Sequence, residues 1–468
     1  MEMMTGEERY PLGPATDLPE APKKLRGMIG PSLVLLGMGL GSGEIILWPY
    51  MSSNYGLGIV WAIVVGLTMQ FFINMEVERY ALIYGESIFV GFARWARVLP
   101  MWFILSTFLG FGWPGIGMAG ATLLASAGSF KYVSALAIGL FLAMGLILSL
   151  GKQLYVTVET LQKYLISVGS PAIIILAVIL AKPADWQALG LGLLGRGDGY
   201  LFLPAGIVMA TFLGALAFAG AGGNLNLAQS FYIRDKGYGM GKFAAKIKSL
   251  FVDKTADTEM SLSGRTFPLT AENLTRFKQW WKMVNREHLL IFWGLGLVTI
   301  MMLSLLAYST AYGQPGNPEG IKFVINEAVY MGRRLAPFAG TLFLLATGLM
   351  LSATQLTVLD STSRIITENI VLLEGHNTAR MARLYYLVLW AQIAFGIVII
   401  FSGRGQPRQL IVLSACINAL AMFVYSALIL YLNNKKLPKP LRPSMWRNLA
   451  MTATFIFFGV FGWLTLRG

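Results

Sequence analysis

The sequence predicts an all-α integral membrane protein of about eleven transmembrane helices, built as two inverted five-helix repeats with one helix added. Three observations carry this. Only 13% of the 468 residues are charged and the mean hydropathy is +0.62, against about 25% charged in a soluble domain. Apolar runs of about 20 residues, the length that crosses a bilayer, recur along the whole chain. Two of these runs are interrupted by glycine clusters in corresponding places of the two halves.

The runs fall at 28–53, 57–78, 101–127, 132–151, 164–182, 201–233, 287–312, 335–358, 384–402, 409–432 and 446–466. Only a short turn near Lys131 parts the third from the fourth. Residues 1–27 form a polar N-terminal tail without the apolar core of a signal peptide. Residues 28–182 make a first repeat and 201–432 a second, with a loop at 234–286 inside it; 446–466 is the added eleventh helix. An odd number of helices per half turns the second half over relative to the first. With the N-terminus inside, 28 Lys and Arg fall on the cytoplasmic side and 9 on the other. The chain therefore reads as a multi-pass protein of the cell (inner or plasma) membrane, N-terminus cytoplasmic and C-terminus outside.

The net charge of +14 belongs to those basic loops, so no nucleic-acid partner is expected. One cysteine, Cys416, excludes a disulfide framework and a Cys-based metal site. Two histidines, His288 and His376, leave no histidine metal cluster. Neither a phosphate-binding loop nor clustered His, Cys or paired acids appears, so neither an enzyme nor an ATP-driven pump is indicated and no cofactor is called for. The partners implied are the lipid bilayer and a small ion or small molecule, with the chain read as a monomer.

The first interrupted run reads Gly39-Leu40-Gly41-Ser42-Gly43-Glu44, and Glu44 is its only charge. A carboxylate at midplane depth costs about 3 kcal/mol unless it is paired or faces water. Each glycine costs about 1 kcal/mol against Ala within a helix, so the cluster predicts a broken helix, tolerated only where the loose backbone lines a cavity. The sixth run is uncharged from Tyr200 to Ile233, too long for one straight span, and its middle reads Phe218-Ala219-Gly220-Ala221-Gly222-Gly223-Asn224. Two broken helices facing each other at mid-depth are the pattern of a transporter site. Close helix packing is the blander reading of the same glycines. It is the reading for Gly110, Gly112, Gly115, Gly117 and Gly120 in span 3, where Trp113-Pro114 marks a kink.

Other polar groups stand near these breaks. Gln229 in span 6 and Asn418 in span 10 reach the site or bond between helices. Asp360 and Arg364, four apart, read as an ion pair or as a gate contact. Glu76, Glu78 and Arg79 at the inner end of span 2 read as a solvated ion cluster, and His288 as structural. In the loop, Thr270 caps a helix whose Leu274, Phe277, Trp281 and Val284 share one face. Such a helix lies on the inner leaflet or packs on the protein itself.

Residues 28–100 resemble the start of the Nramp family of divalent-metal transporters through Gly30-Pro31, the four-residue break, Asn54-Tyr55-Gly56-Leu57, Gln70 and Tyr84-Gly85-Glu86-Ser87. Span 6 resembles it through Asn224-Leu225-Asn226-Leu227 and Ser230, and span 8 through Leu345-Ala346-Thr347-Gly348. The resemblance covers most of the chain and implies the LeuT-like inverted-repeat fold and import of a metal cation. The site motifs depart from the family. Its Asp-Pro-Gly-Asn falls on Gly41, Ser42, Gly43 and Glu44, so the metal-binding aspartate is a glycine and the asparagine is Glu44. Its Met-Pro-His falls on Ala221, Gly222 and Gly223, which removes the thioether. Residues 101–130 hold no Asp, Glu or His, so the acids associated with proton transfer are missing there too.

A carboxylate with backbone carbonyls suits a hard cation better than a soft one. The expected substrate site is therefore Gly41, Ser42, Gly43 and Glu44 with Phe218, Ala221, Gly222, Gly223 and Asn224. Glu44 is its metal ligand, and Gln229 and Asn418 are secondary. The alternative substrate is a small organic solute, an amino acid or amine moved with Na⁺ or H⁺. Thr347, Ser352 and Thr354 of span 8 are the candidates for the coupling ion, as in related sodium-coupled carriers.

Overall fold

The computed structural model describes residues 10–24, 28, 30–150, 154–197, 199–244, 262–375, 380–403 and 406–467. His376 lies outside them. Among the described residues, ten helices are long and apolar enough to cross a membrane. The expected sixth span is not among them because it is two half-helices, Met209–Ala217 and Leu225–Lys236, each too short to cross alone.

Span 1 runs from Pro31 to Tyr55 and span 2 reaches Tyr84. Span 3, Leu99–Gly128, is bent at Gly112-Trp113-Pro114, where Leu99–Phe111 stops and Gly115–Gly128 begins. Proline removes the hydrogen bond that would have continued the first piece. The span 3 glycines do allow close packing. A Cβ on Gly120 would lie 2.9 Å from the Ser352 hydroxyl and 3.0 Å from the Gly348 carbonyl of span 8, and one on Gly110 would meet Asn418 of span 10 at 2.4 Å. Val133–Leu150 and Leu154–Leu180 complete the first half.

In the second half the loop helix Ala271–His288 passes through a π-helical turn, Leu289–Leu295, straight into span 7, Gly296–Ala311. Thr270 caps it as expected, accepting from the Asn273 N–H at 3.2 Å. Its apolar face packs on the protein, not on lipid. Phe277, Trp280 and Val284 are buried, Trp280 stands 5.5 Å from Tyr238, and the Arg79 guanidinium lies 3.9 Å from the Trp281 ring. The tail clasps this helix: Asn273 Oδ1 accepts from the Leu18 N–H, while Arg276 and Trp280 donate to the carbonyls of Leu18 and Pro19. Spans 8 to 11 are Pro337–Glu374, Met381–Phe401, Pro407–Tyr431 and Met445–Arg467.

Candidate functional site

The break of span 6 is a real unwinding. The helix stops at Ala217, Gly222 and Gly223 take left-handed backbone (φ +74° and +48°), and the helix restarts at Leu225. Only glycine adopts two such conformations in succession without steric cost. Unwinding frees backbone groups that must be paired when buried. Gln70 of span 2 does much of this: its Nε2 donates to the Ala217 carbonyl at 3.1 Å and its Oε1 accepts from the Gly222 N–H at 3.0 Å. From span 10, the Tyr425 hydroxyl donates to the Gly223 carbonyl at 2.9 Å. From span 3, Ser106 and Thr107 each accept from the Asn224 amide at 2.8 Å.

Span 1 is interrupted in the expected place but in another form. Between Pro31–Ser42 and Trp48–Tyr55 lies one π-helical turn, Gly43–Leu47. A π-turn keeps its carbonyls bonded along the chain, so the freed carbonyls expected of span 1 are not there. The Ser42 side chain lies outside the described residues. The glycines serve close approach. A Cβ on Gly43 would sit 1.5 Å from the Phe218 carbonyl oxygen, one on Gly39 2.9 Å from the Gly220 carbonyl carbon, and one on Gly41 2.3 Å from Thr354 Cγ2. The two interrupted spans thus meet backbone to backbone. Phe218 and Ala221 are buried at this contact, and Phe218 stacks on Phe111 at 6.0 Å.

Glu44 is fully buried and turns toward span 7, where the Thr299 hydroxyl donates to its Oε2 at 2.7 Å; its Oε1 has no partner among the described residues. The partners of Asn224 are on span 3 instead, so this conformation does not join Glu44 to the span 6 break by a hydrogen bond. Asn418 does reach the break: its amide donates to the Gly110 carbonyl at 2.9 Å, and its Oδ1 lies 1.9 Å from where a Gly223 Cβ would be. The Oδ1 atoms of Asn224 and Asn418 are both buried without a partner among the described residues. Gln229 points away from the site and donates to Glu78 at 2.8 Å. Thr347 and Ser352 donate back to Phe343 and Gly348 of their own helix, while Thr354 crosses to the Gly37 carbonyl of span 1 at 3.0 Å.

Asp360 and Arg364 form both an intrahelical pair and a contact between spans. Arg364 bonds Asp360 at 3.0 Å and reaches Asp235 at the end of span 6 at 2.7 Å. Arg234 joins Asp235 and Glu368 at 3.1 Å each, Tyr385 donates to Asp360 at 2.7 Å, and Ser87 donates to Glu368. This buried network ties the end of span 6 to spans 8 and 9. The Glu76, Glu78 and Arg79 cluster is likewise buried rather than solvated.

Sequence reasoning missed the bracing by Gln70, Ser106, Thr107 and Tyr425 and the span 7 partner Thr299. Gln70 was marked by the family resemblance alone, and the others only by being polar side chains within an apolar run. Among the described residues no group of three or more His, Cys, Asp or Glu is placed to hold a metal ion. The donors at the two interruptions are oxygens.

No family model and no curated protein matches the chain in sequence. Among solved structures the chain is similar to the manganese transporter of Eremococcus coleocola. One variant aligns with a TM-score of 0.70 at 14% identity, over 97% of this chain and 90% of that one. The same transporter with an aromatic bis-isothiourea substituted compound aligns at 0.69 and 15% identity over the same shares. Mhp1, a nucleobase-cation-symport-1 family transporter in a closed conformation with bromovinylhydantoin bound, aligns at 0.56 and 14% over 96% of this chain and 94% of that one. At these identities the likeness establishes the fold: the chain is an all-α, multi-pass membrane protein of the LeuT-like inverted-repeat fold that these transporters share.

Proposed function

We propose that the chain is a secondary active transporter of Nramp-related type, importing a divalent metal cation by alternating access through an altered site. The observation that carries this is Glu44. It is a buried carboxylate with one oxygen unpartnered, set in the π-turn of span 1 that lies against the unwound part of span 6. The unpartnered amide oxygens of Asn224 and Asn418 at that break add neutral donors of the kind hard cations take. In this conformation the Gly43–Phe218 contact holds the interrupted spans together, and the Arg364–Asp235 bridge ties span 6 to span 8. Loading the site requires span 1 to part from span 6, which opens space between the Gly41–Glu44 segment and Phe218, Ala221, Gly222, Gly223 and Asn224.

The same reading places the protein as a monomer in the cell membrane, N-terminus cytoplasmic and C-terminus outside, with repeats at 28–182 and 201–432. A second reading, an amino acid or amine moved with Na⁺ or H⁺, draws on Thr354, whose hydroxyl meets the Gly37 carbonyl where spans 1 and 8 touch. Calorimetry on purified protein separates the two, with Mg²⁺, Mn²⁺ and a panel of amino acids and amines, wild type against Glu44→Gln. Divalent binding that vanishes in the variant supports the metal carrier. Binding of an organic solute alone replaces it with the second reading.

A further inference from the structure

The last turn of span 2 reaches the chain just beyond span 10, where the Tyr84 hydroxyl donates to the Lys436 carbonyl at 3.5 Å. Between these ends and the tail lies a cavity of about 300 Å³ that the substrate site does not use. Tyr10, Leu12, Tyr80, Tyr84, Trp95 and Lys436 are among the residues that line it. Trp95 closes the short helix Ile88–Trp95 and stacks on Tyr431, the last residue of span 10, with ring centres 4.2 Å apart. Both rings are exposed. Exposed Trp and Tyr side chains mark the level at which hydrocarbon meets headgroups.

The walls carry one sign of charge. From Ser87 to Val158, and again from Gly375 to Gly468, the sequence holds no Asp or Glu. Next to the lining residues Trp95 and Lys436, those two stretches supply Arg94, Arg97, Lys435, Lys439 and Arg442. Arg97, Lys435, Lys436 and Lys439 are exposed. Arg94 is taken up within the protein: it bonds Glu86 at 2.8 and 3.0 Å and donates to the Tyr10 carbonyl at 2.9 Å. Among the described residues no acid lines the cavity. Basic side chains just beyond a membrane span attract anionic headgroups, by about fivefold in affinity for each Lys or Arg. A small soluble anion would use the cations alone. The stacked Trp95 and Tyr431 rings add an apolar wall at the same place, which suits a molecule that also carries acyl chains.

We propose that this cavity binds one anionic phospholipid of the surrounding bilayer. Its phosphate-bearing headgroup sits at the mouth against Lys435 and Lys436, and its acyl chains lie along Trp95 and Tyr431. The site needs only that the chain spans a membrane, whatever cargo it moves. The cavity wall includes Tyr10, whose hydroxyl donates to the Leu372 carbonyl of span 8. A lipid seated there would therefore fasten the tail to the ends of spans 2, 8 and 10.

Native mass spectrometry of the full-length protein in detergent, titrated with phosphatidylglycerol or with phosphatidylcholine of the same chains, reads the bound lipid directly. Wild type is expected to hold one phosphatidylglycerol about tenfold or more tightly than phosphatidylcholine. Lys435→Gln with Lys436→Gln should weaken phosphatidylglycerol about 25-fold and leave phosphatidylcholine unchanged. Leu12→Trp fills the cavity without changing charge and should weaken phosphatidylglycerol as well. Lys278→Gln with Lys282→Gln alters an exposed pair on the loop helix and should leave binding as in wild type. Melting curves show that each variant is folded. Equal binding of the two lipids by wild type, or an equal loss in the two lysine pairs, means diffuse attraction and overturns the site. Wild-type binding by Leu12→Trp overturns it too, because the lipid then does not enter the cavity. Glu2, Glu7 and Glu8 lie outside the described residues. Phosphatidylglycerol that binds only when all three are changed to Gln makes the chain's own tail the occupant, and the lipid site falls.

Discussion

Gly43 of span 1 meets the Phe218 carbonyl of span 6 so closely that a Cβ on Gly43 would lie 1.5 Å from that oxygen. The neighbour is backbone and cannot rotate away. Gly43→Ala is expected to force the two interrupted spans apart and lower stability by about 1–3 kcal/mol, read as a fall in melting temperature. Gly190 is the control: a Cβ there meets nothing within 4 Å. In its exposed helix, Gly190→Ala should gain about 0.5–1 kcal/mol. Equal effects at the two positions would refute the close-approach account.

Gln70 pairs a carbonyl and an N–H released by the same break. Gln70→Leu leaves both buried and unpaired, at about 1–3 kcal/mol for each. Gln70→Asn, which keeps both groups on a side chain one methylene shorter, should fall between wild type and Gln70→Leu. Melting curves of the three proteins give the order directly.

Arg364 compensates Asp360 and Asp235 at once. Arg364→Ala leaves Asp360 with the Tyr385 hydroxyl and no counter-ion among the described residues, a change that costs about 3–5 kcal/mol. Asp235→Asn weakens the Arg364 bridge to span 6 and leaves the Arg234–Glu368 contact in place. It should speed hydrogen exchange in the second half-helix of span 6, Leu225–Lys236, while leaving the 360/364 pair in place. Unchanged exchange there would mean that the bridge does not hold this half-helix in place.

Glu327 lies in the helix Lys322–Arg334, outside the membrane spans, and burial pushes its carboxyl well above the usual range. An acid whose folded-state pKa is raised binds its proton more tightly folded than unfolded. Its stabilising share is therefore present below the unfolded pKa and is lost as pH rises toward the folded one. Glu327→Gln removes that loss. The variant should melt higher than wild type at neutral pH, and the difference should close as pH falls into the ordinary carboxylate range.

The spans were legible because bilayer thickness sets their length and their composition follows from it. The sixth span's break was legible to the residue, since Gly222 and Gly223 are the glycines with positive φ inside it. The form of the first interruption was not. A glycine cluster permits either unwinding or close approach, and what packs against it, here the Phe218 carbonyl, decides between them. The direction of Glu44 was hidden for a related reason. A π-turn shifts the helical phase, so a period of 3.6 residues carried through Gly43 no longer says which neighbour a side chain meets.

The helix Ala271–His288 has 18 residues, about 27 Å at 1.5 Å per residue, and it continues into span 7 without a loop. It is a rigid lever whose far end is held by the stretch around Leu18 and Pro19. Any tilt of span 7 within the bilayer is therefore delivered, magnified by that arm, to the N-terminal tail. A soluble factor that grips the tail, or a cut that frees it, would act on the membrane-embedded machinery mechanically, without entering the membrane.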